Sequence, residues 1–135
     1  MDKLDKIRAW AKDLDEPILC FVNGSDAEVI KLAKALLEEK IAEIILLGDE
    51  LEVYDQCKVY RLPESRLYGV INPQNPRDLE QMVDDYMQES GENDRKKASR
   101  WVKNPVNLAQ TLWLRGEVDW VIPQTEPFPD PPERD

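Results

Sequence analysis

The sequence predicts an α/β fold built on a parallel sheet, and two observations carry that prediction. The first is the succession "ILCFV", "AEVIKLAKALLEE", "AEIILLG", which reads as an apolar run, an amphipathic stretch and a second apolar run. The second is that neither apolar run alternates with polar residues, as expected of strands covered on both faces of a sheet. Strand, helix, strand in that order makes a right-handed parallel unit the natural reading.

Taken in order, Leu4, Ile7, Trp10, Ala11 and Leu14 recur at steps of three and four, so residues 2–14 should form an amphipathic helix that stops before Pro17. "PILCFV" then gives a central strand. Val29, Ile30, Ala33, Leu36 and Leu37 form the buried stripe of the next helix, with Lys31, Lys34, Glu38 and Glu39 on its wet side. Residues 44–47 make the second strand, closed by Gly48. "DELEVYDQCKVYRLPESR" at 49–66 predicts a helical turn over 51–54 and a short strand over 58–62. A strand follows over 67–71, stopped by Asn72-Pro73.

Asn75-Pro76 should open the next helix, because proline suits the first helical position, with Leu79, Met82, Val83 and Tyr86 as its apolar stripe up to Ser90. "SGEND" breaks it. Further helices are expected over 94–102 and from Asn104-Pro105 to Gly116, and "DWVI" at 119–122 is the last strand. Residues 1–122 therefore read as one α/β domain. Residues 123–135, "PQTEPFPDPPERD", hold five prolines and four acids, and read as an acidic, proline-rich tail that is extended or disordered.

A chain of 135 residues with 41% hydrophobic content supports a single core. Its 28 acidic and 18 basic side chains leave a formal charge of −10, which argues against nucleic-acid and membrane-surface partners. The charged start "MDKLDKIRAWAKDLDEP" lacks the apolar core of a signal peptide, and no apolar run is long enough to span a membrane, so a cytoplasmic location is expected. Cys20 and Cys57 are isolated thiols, consistent with a reducing compartment. The chain has no histidine, which removes the commonest general base, the commonest zinc ligand and every histidine-activated nucleophile. No catalytic residue, metal-ligand set or cofactor is assigned.

Two stretches are candidates for binding. "NGSD" at 23–26 joins a strand to a helix, where backbone amides and the helix dipole can hold an anion. Ser25 and Glu28 have the spacing of a capping box, so helix initiation explains this turn by itself, and Asp26 and Glu28 would repel an entering anion. The second stretch, "RKKASRWVK" at 95–103, gathers five basic side chains around Trp101. It reads as the solvated face of a helix, or as a site for a phosphorylated ligand or an acidic partner. A bound anion would have to join Asn23, Gly24 and Ser25 to Arg95, Lys96 and Arg100. Trp10, Trp101, Trp113 and Trp120 each lie beside an apolar stripe or strand and are expected in the core or at an interface.

The run "AEVIKLAKALLEEKIAEIILLGDE", followed by "GVINPQNPRDLEQMVDDYM" and "NPVNLAQTLWLRGEVDWVI", resembles the N-terminal part of the phosphate acetyltransferase and phosphate butyryltransferase family over most of residues 17–122. The resemblance implies a three-layer α/β/α domain with a mainly parallel sheet. It also implies an ancestry in acyl transfer between coenzyme A and phosphate, with most reactive residues in a later half that has no counterpart here. Four departures stand out. Trp120 replaces the glycine of the family's "GEVDG" strand, and "IPQTEPFPDPPERD" replaces its serine-rich loop. The coenzyme-holding arginine expected shortly after Tyr86 is absent, with Arg95 a displaced substitute. Lys40 stands where the family has a helix-ending glycine.

These observations lead to a stand-alone, non-catalytic acyltransferase-like domain that acts as a binding or protein-interaction module. Its expected partner is another protein or a second copy of the chain. The alternatives are a regulator that binds coenzyme A or a nucleotide, and one subunit of a split acyltransferase.

Overall fold

The structure, a computed structural model, describes residues 2–123 and 129–132. Strands β1 (Ile18–Phe21), β2 (Glu43–Leu47), β3 (Gly69–Ile71) and β4 (Trp120–Ile122) form one sheet in the order β3-β2-β1-β4, and every pairing is parallel. β1 therefore lies inside the sheet, with Cys20 opposite Ile45 on one side and Val121 on the other. Asp119 aligns the last strand: its carboxylate accepts the Ile18 N–H at 2.8 Å, and its own N–H donates to the Ile18 carbonyl at 2.8 Å.

Side chains alternate across a strand, so each strand feeds two cores. Leu19, Phe21, Ile44, Leu46, Trp120 and Ile122 face one core, whereas Cys20, Val22, Ile45 and Leu47 face the other. Helices α1 (Lys3–Ala11), α2 (Ala27–Glu38) and α3 (Glu50–Val59) close the first core with Ile7, Ile30, Leu36, Val53 and Cys57. Helices α4 (Leu79–Ser90), α5 (Arg95–Val102) and α6 (Pro105–Leu114) close the second with Met82, Val83, Ala98, Val102, Leu108 and Leu112. This is the three-layer α/β/α arrangement expected from the sequence. The unbroken apolar strands follow from it, since both faces are dry.

Three local readings change. The first helix ends at Ala11 rather than residue 14, and Leu14 is 47% exposed. Residues 50–59 form a full helix and residues 58–62 form no strand. Asp49 caps that helix by accepting the Glu52 N–H at 3.1 Å, Val53 and Cys57 supply its buried face, and β3 already occupies the position beside β2. The helix expected from Asn75-Pro76 starts at Leu79, after a turn in which the Asn72 side chain accepts the Gln74 N–H. Of the expected tail, residues 124–128 and 133–135 lie outside the described residues. Pro132 lines a small cavity with Trp10, Leu14, Pro17 and Asp119.

Lys40 explains itself in three dimensions. At the end of α2 its N–H donates to the Leu37 carbonyl and the Ile41 N–H to the Leu36 carbonyl, the paired bonds that close a helix through a left-handed residue. Lys40 is that residue, with φ +56°. Lys40→Gly is expected to raise stability by about 0.5–1 kcal/mol, because glycine removes the Cβ penalty in this region while adding unfolded-chain entropy. Urea unfolding checks the prediction, and an unchanged or lower midpoint would refute it.

Candidate functional site at the strand ends

The chain leaves β1 toward β2 through α2, and β4 returns to the opposite side of β1. Ligands of open α/β sheets bind outside the carboxyl ends of the strands where the order reverses in this way. A cavity of about 490 Å³ lies there, lined by Phe21 and Asn23 from the end of β1, Ile122 and Pro123 from the end of β4, Glu28 from α2, and the helix caps Asp26 and Asp2. A larger cavity, about 750 Å³, opens at the other end of the sheet. There Glu39 receives both Arg8 Nε and Nη2 at 2.8 and 2.6 Å, and Arg66 donates to the Leu37 carbonyl. Arg8 holds the Glu39 carboxyl below its ordinary range. Arg8 and Arg66 are thus already matched.

The polar lining of the smaller cavity is Asp2, Asp26 and Glu28 together with Lys3, Lys31 and Asn23. Asp2 caps α1 by accepting the Asp5 N–H at 2.8 Å. Asp26 caps α2 by accepting the N–H groups of Glu28 at 2.8 Å and Val29 at 3.3 Å. The capping box expected from Ser25 and Glu28 is therefore replaced by an Asp26 cap. The helix begins at Ala27, one residue later than that box requires, and Asp26 has the extended backbone of a cap. A carboxylate caps as well as a hydroxyl and also meets the positive end of the helix dipole.

Gly24 has a different task. A Cβ at this position would stand 2.6 Å from the Leu47 carbonyl oxygen and 2.8 Å from Leu46 Cβ. The glycine thus lets the turn lie directly on β2, where its N–H donates to the Leu47 carbonyl at 2.8 Å. The Asp26 N–H donates to the Asn23 carbonyl. Four amides around the turn, those of Gly24, Asp26, Glu28 and Val29, are thereby spent inside the protein.

The basic residues of the second stretch lie on α5, with Lys103 at its C-cap, and α5 covers the face opposite α2. Arg95 reaches Glu80 Oε2 at 2.6 Å and Asp84 Oδ1 at 2.7 Å on α4, and these bonds raise its pKa above the ordinary arginine value. Lys96 and Arg100 are exposed. Among the described residues no hydrogen bond or ion pair joins Asn23, Gly24 or Ser25 to Arg95, Lys96 or Arg100. Trp101 departs from the core reading: it is 36% exposed and stacks on Tyr86 with ring centroids 4.1 Å apart and planes 13° from parallel. Trp120 is buried, with its ring 5.1 Å from that of Trp10.

Burial pushes the Cys20 thiol up to about 12, and burial with the Glu64 charge raises Cys57. Neither is held as a thiolate. Among the described residues no cluster of three or more aspartate, glutamate or cysteine side chains could hold a metal ion. Among them, too, no helix is long and apolar enough to cross a membrane. The N-cap roles of Asp2 and Asp26, the second already placed in this turn by sequence, were what the sequence concealed. Their signal was an aspartate one residue ahead of each helix, which the competing Ser25 obscured at the second.

The same architecture occurs in a phosphotransacetylase from Streptococcus pyogenes, 19% identical, with a TM-score of 0.77 over 91% of this chain and 38% of that one. It occurs also in the EutD phosphotransacetylase from Staphylococcus aureus, 20% identical, with a TM-score of 0.73 over 89% of this chain and 36% of that one. The chain thus spans less than two fifths of the length of these solved structures. No curated protein matches it in sequence. The family model described as phosphate acetyl/butaryl transferase matches residues 3–124, nearly the whole described domain. The chain belongs to the phosphate acetyl/butaryl transferase family.

Proposed function

We infer that this phosphotransacetylase-like domain is non-catalytic and works as a binding module for another protein or for a second copy of itself. The observation that carries the reading is the commitment of the amides of Gly24, Asp26, Glu28 and Val29 to partners within the protein. Acyl transfer to phosphate needs donors and cations aimed at developing negative charge, and a base for the attacking thiol. The crevice at the strand ends presents Asp2, Asp26 and Glu28 beside two lysines, Lys3 and Lys31, and Lys31 is already within 3.3 Å of Glu28.

The test is an assay of the purified chain with coenzyme A and acetyl phosphate, following loss of the free thiol. The expected result is no turnover above a heat-inactivated control. Acetyl-coenzyme A formed in proportion to the amount of native protein would overturn the reading.

A further inference from the structure

We propose that the outer face of α5, with Trp101 at its margin, is a docking surface for an acidic peptide segment that carries an aromatic residue. The inference rests on the reading of the domain as a binding module and names the chemistry of its partner.

The first support is an imbalance of charge. The protein as a whole carries −10, yet Lys96, Lys97, Arg100 and Lys103 lie within one short helix and its cap. Arg95 at the start of α5, like Arg8, Lys31 and Arg115 elsewhere, is held in an ion pair, whereas these four, gathered on one helix and its cap, have no ion-pair partner among the described residues. The acids nearest to hand are in use: Glu80 and Asp84 bind Arg95, and Asp94 caps α5 by accepting the Lys96 and Lys97 N–H groups.

The second support is helical geometry. Lys96 and Arg100 are four residues apart, and Lys97 with Arg100, like Arg100 with Lys103, are three apart. Like charges at these spacings repel across one helix face. α5 keeps this self-repelling face because Ala98 and Val102 anchor its other side in the core. Carboxylates from a partner would relieve the repulsion and form charge-assisted hydrogen bonds with Arg100. The protein's overall negative charge does not forbid this approach, since at physiological salt it is screened beyond about 8 Å.

The third support is the aromatic platform. Trp101 is stacked on Tyr86 through one face and is 36% exposed, and Val106, 57% exposed, follows at the α5–α6 corner. The Asn107 side chain donates to the Trp101 carbonyl at 2.9 Å, which ties down the backbone of this corner. A tryptophan held by stacking on Tyr86, on the same helix as these cations, suits a partner offering one aromatic side chain among carboxylates.

The test uses the full chain and a fluorescent synthetic peptide, Glu-Asp-Glu-Phe-Glu-Asp-Glu, with an all-amide analogue and a Phe→Ser analogue as comparisons. Binding of the parent peptide is expected. The all-amide analogue, and the protein variant Lys97→Glu plus Arg100→Glu, should each weaken it by tenfold or more, on the order expected for losing two favourable charge contacts. Trp101→Ala and the Phe→Ser peptide should each weaken it by about fivefold, the scale of one lost aromatic contact. The replaced charges are exposed, and circular dichroism should show both variants folded. No binding below about 1 mM, the range of the weakest specific contacts, overturns the proposal. So does binding unchanged by either protein variant, or tenfold tighter binding of a uridine oligonucleotide of equal charge. Failure here leaves the non-catalytic reading standing, whereas acetyl-coenzyme A turnover overturns that reading whatever the peptide does.

Discussion

Gly24→Ala is expected to destabilise the domain by about 3 kcal/mol, since forcing a methyl group into a close-packed site costs roughly 1–3 kcal/mol and the adjacent hydrogen bond is strained as well. The new Cβ would sit 2.6 Å from the Leu47 carbonyl oxygen and 2.8 Å from Leu46 Cβ. Both belong to β2, inside the sheet and covered on both faces, so neither can retreat without disturbing the pairing of Leu46 with Phe21 and Val70. The Gly24 N–H bond to Leu47 would lengthen as the turn lifted away. Gly91→Ala provides the contrast. Gly91 has φ +80° and nothing within 4 Å of its added Cβ, so its replacement should cost only the backbone term, about 1 kcal/mol. Urea unfolding of the two variants separates a steric cost from a conformational one. Equal costs would show that β2 yields easily and that the turn has no need of glycine.

The second large effect is expected at Trp120. Trp120→Ala should cost about 3–5 kcal/mol, the usual range for removing a large buried aromatic side chain. Trp120 is 2% exposed, lies on an edge strand of three residues and contacts Trp10 of α1 with planes tilted by 59°. Its ring joins the short strand to the first helix, so truncation would open a void against Trp10, Ile7 and Leu19 in a core that has no other large side chain on β4 except Ile122. Trp120→Phe keeps much of that volume and should cost less than about 2 kcal/mol. Thermal unfolding checks the pair, and a loss below 1 kcal/mol for Trp120→Ala, on the scale of an exposed substitution, would mean the ring is not the anchor described. The glycine that the family resemblance places at this position is thus replaced by a side chain with a structural role.

Much of the fold was legible because it is local. The 3.6-residue stripe of Val29, Ile30, Ala33, Leu36 and Leu37 and the unbroken apolar runs at 18–22 and 44–47 need no distant information to declare helix and strand. Asn104-Pro105 and Gly116 likewise bracket α6 by chemistry that acts within one turn of chain. The strand expected over 58–62 is instead the end of α3 and the turn after it, and only the sheet shows that β3 takes the place beside β2.

The candidate site was legible in its residue types but not in their relation to one another. The sequence by itself determined the parallel α/β layering, the acidic balance, the absence of histidine and the basic run around Trp101, because each depends on composition or on neighbours a few residues apart. Only the tertiary structure decided that Asp26 rather than Ser25 caps α2, and that Gly24 gives its amide to Leu47. It alone put α2 and the basic helix α5 on opposite faces of the sheet and left Trp101 at the surface on Tyr86. The reason is that these outcomes depend on which face of the sheet each crossover covers and on contacts between residues far apart in the chain, and periodicity along the chain encodes neither.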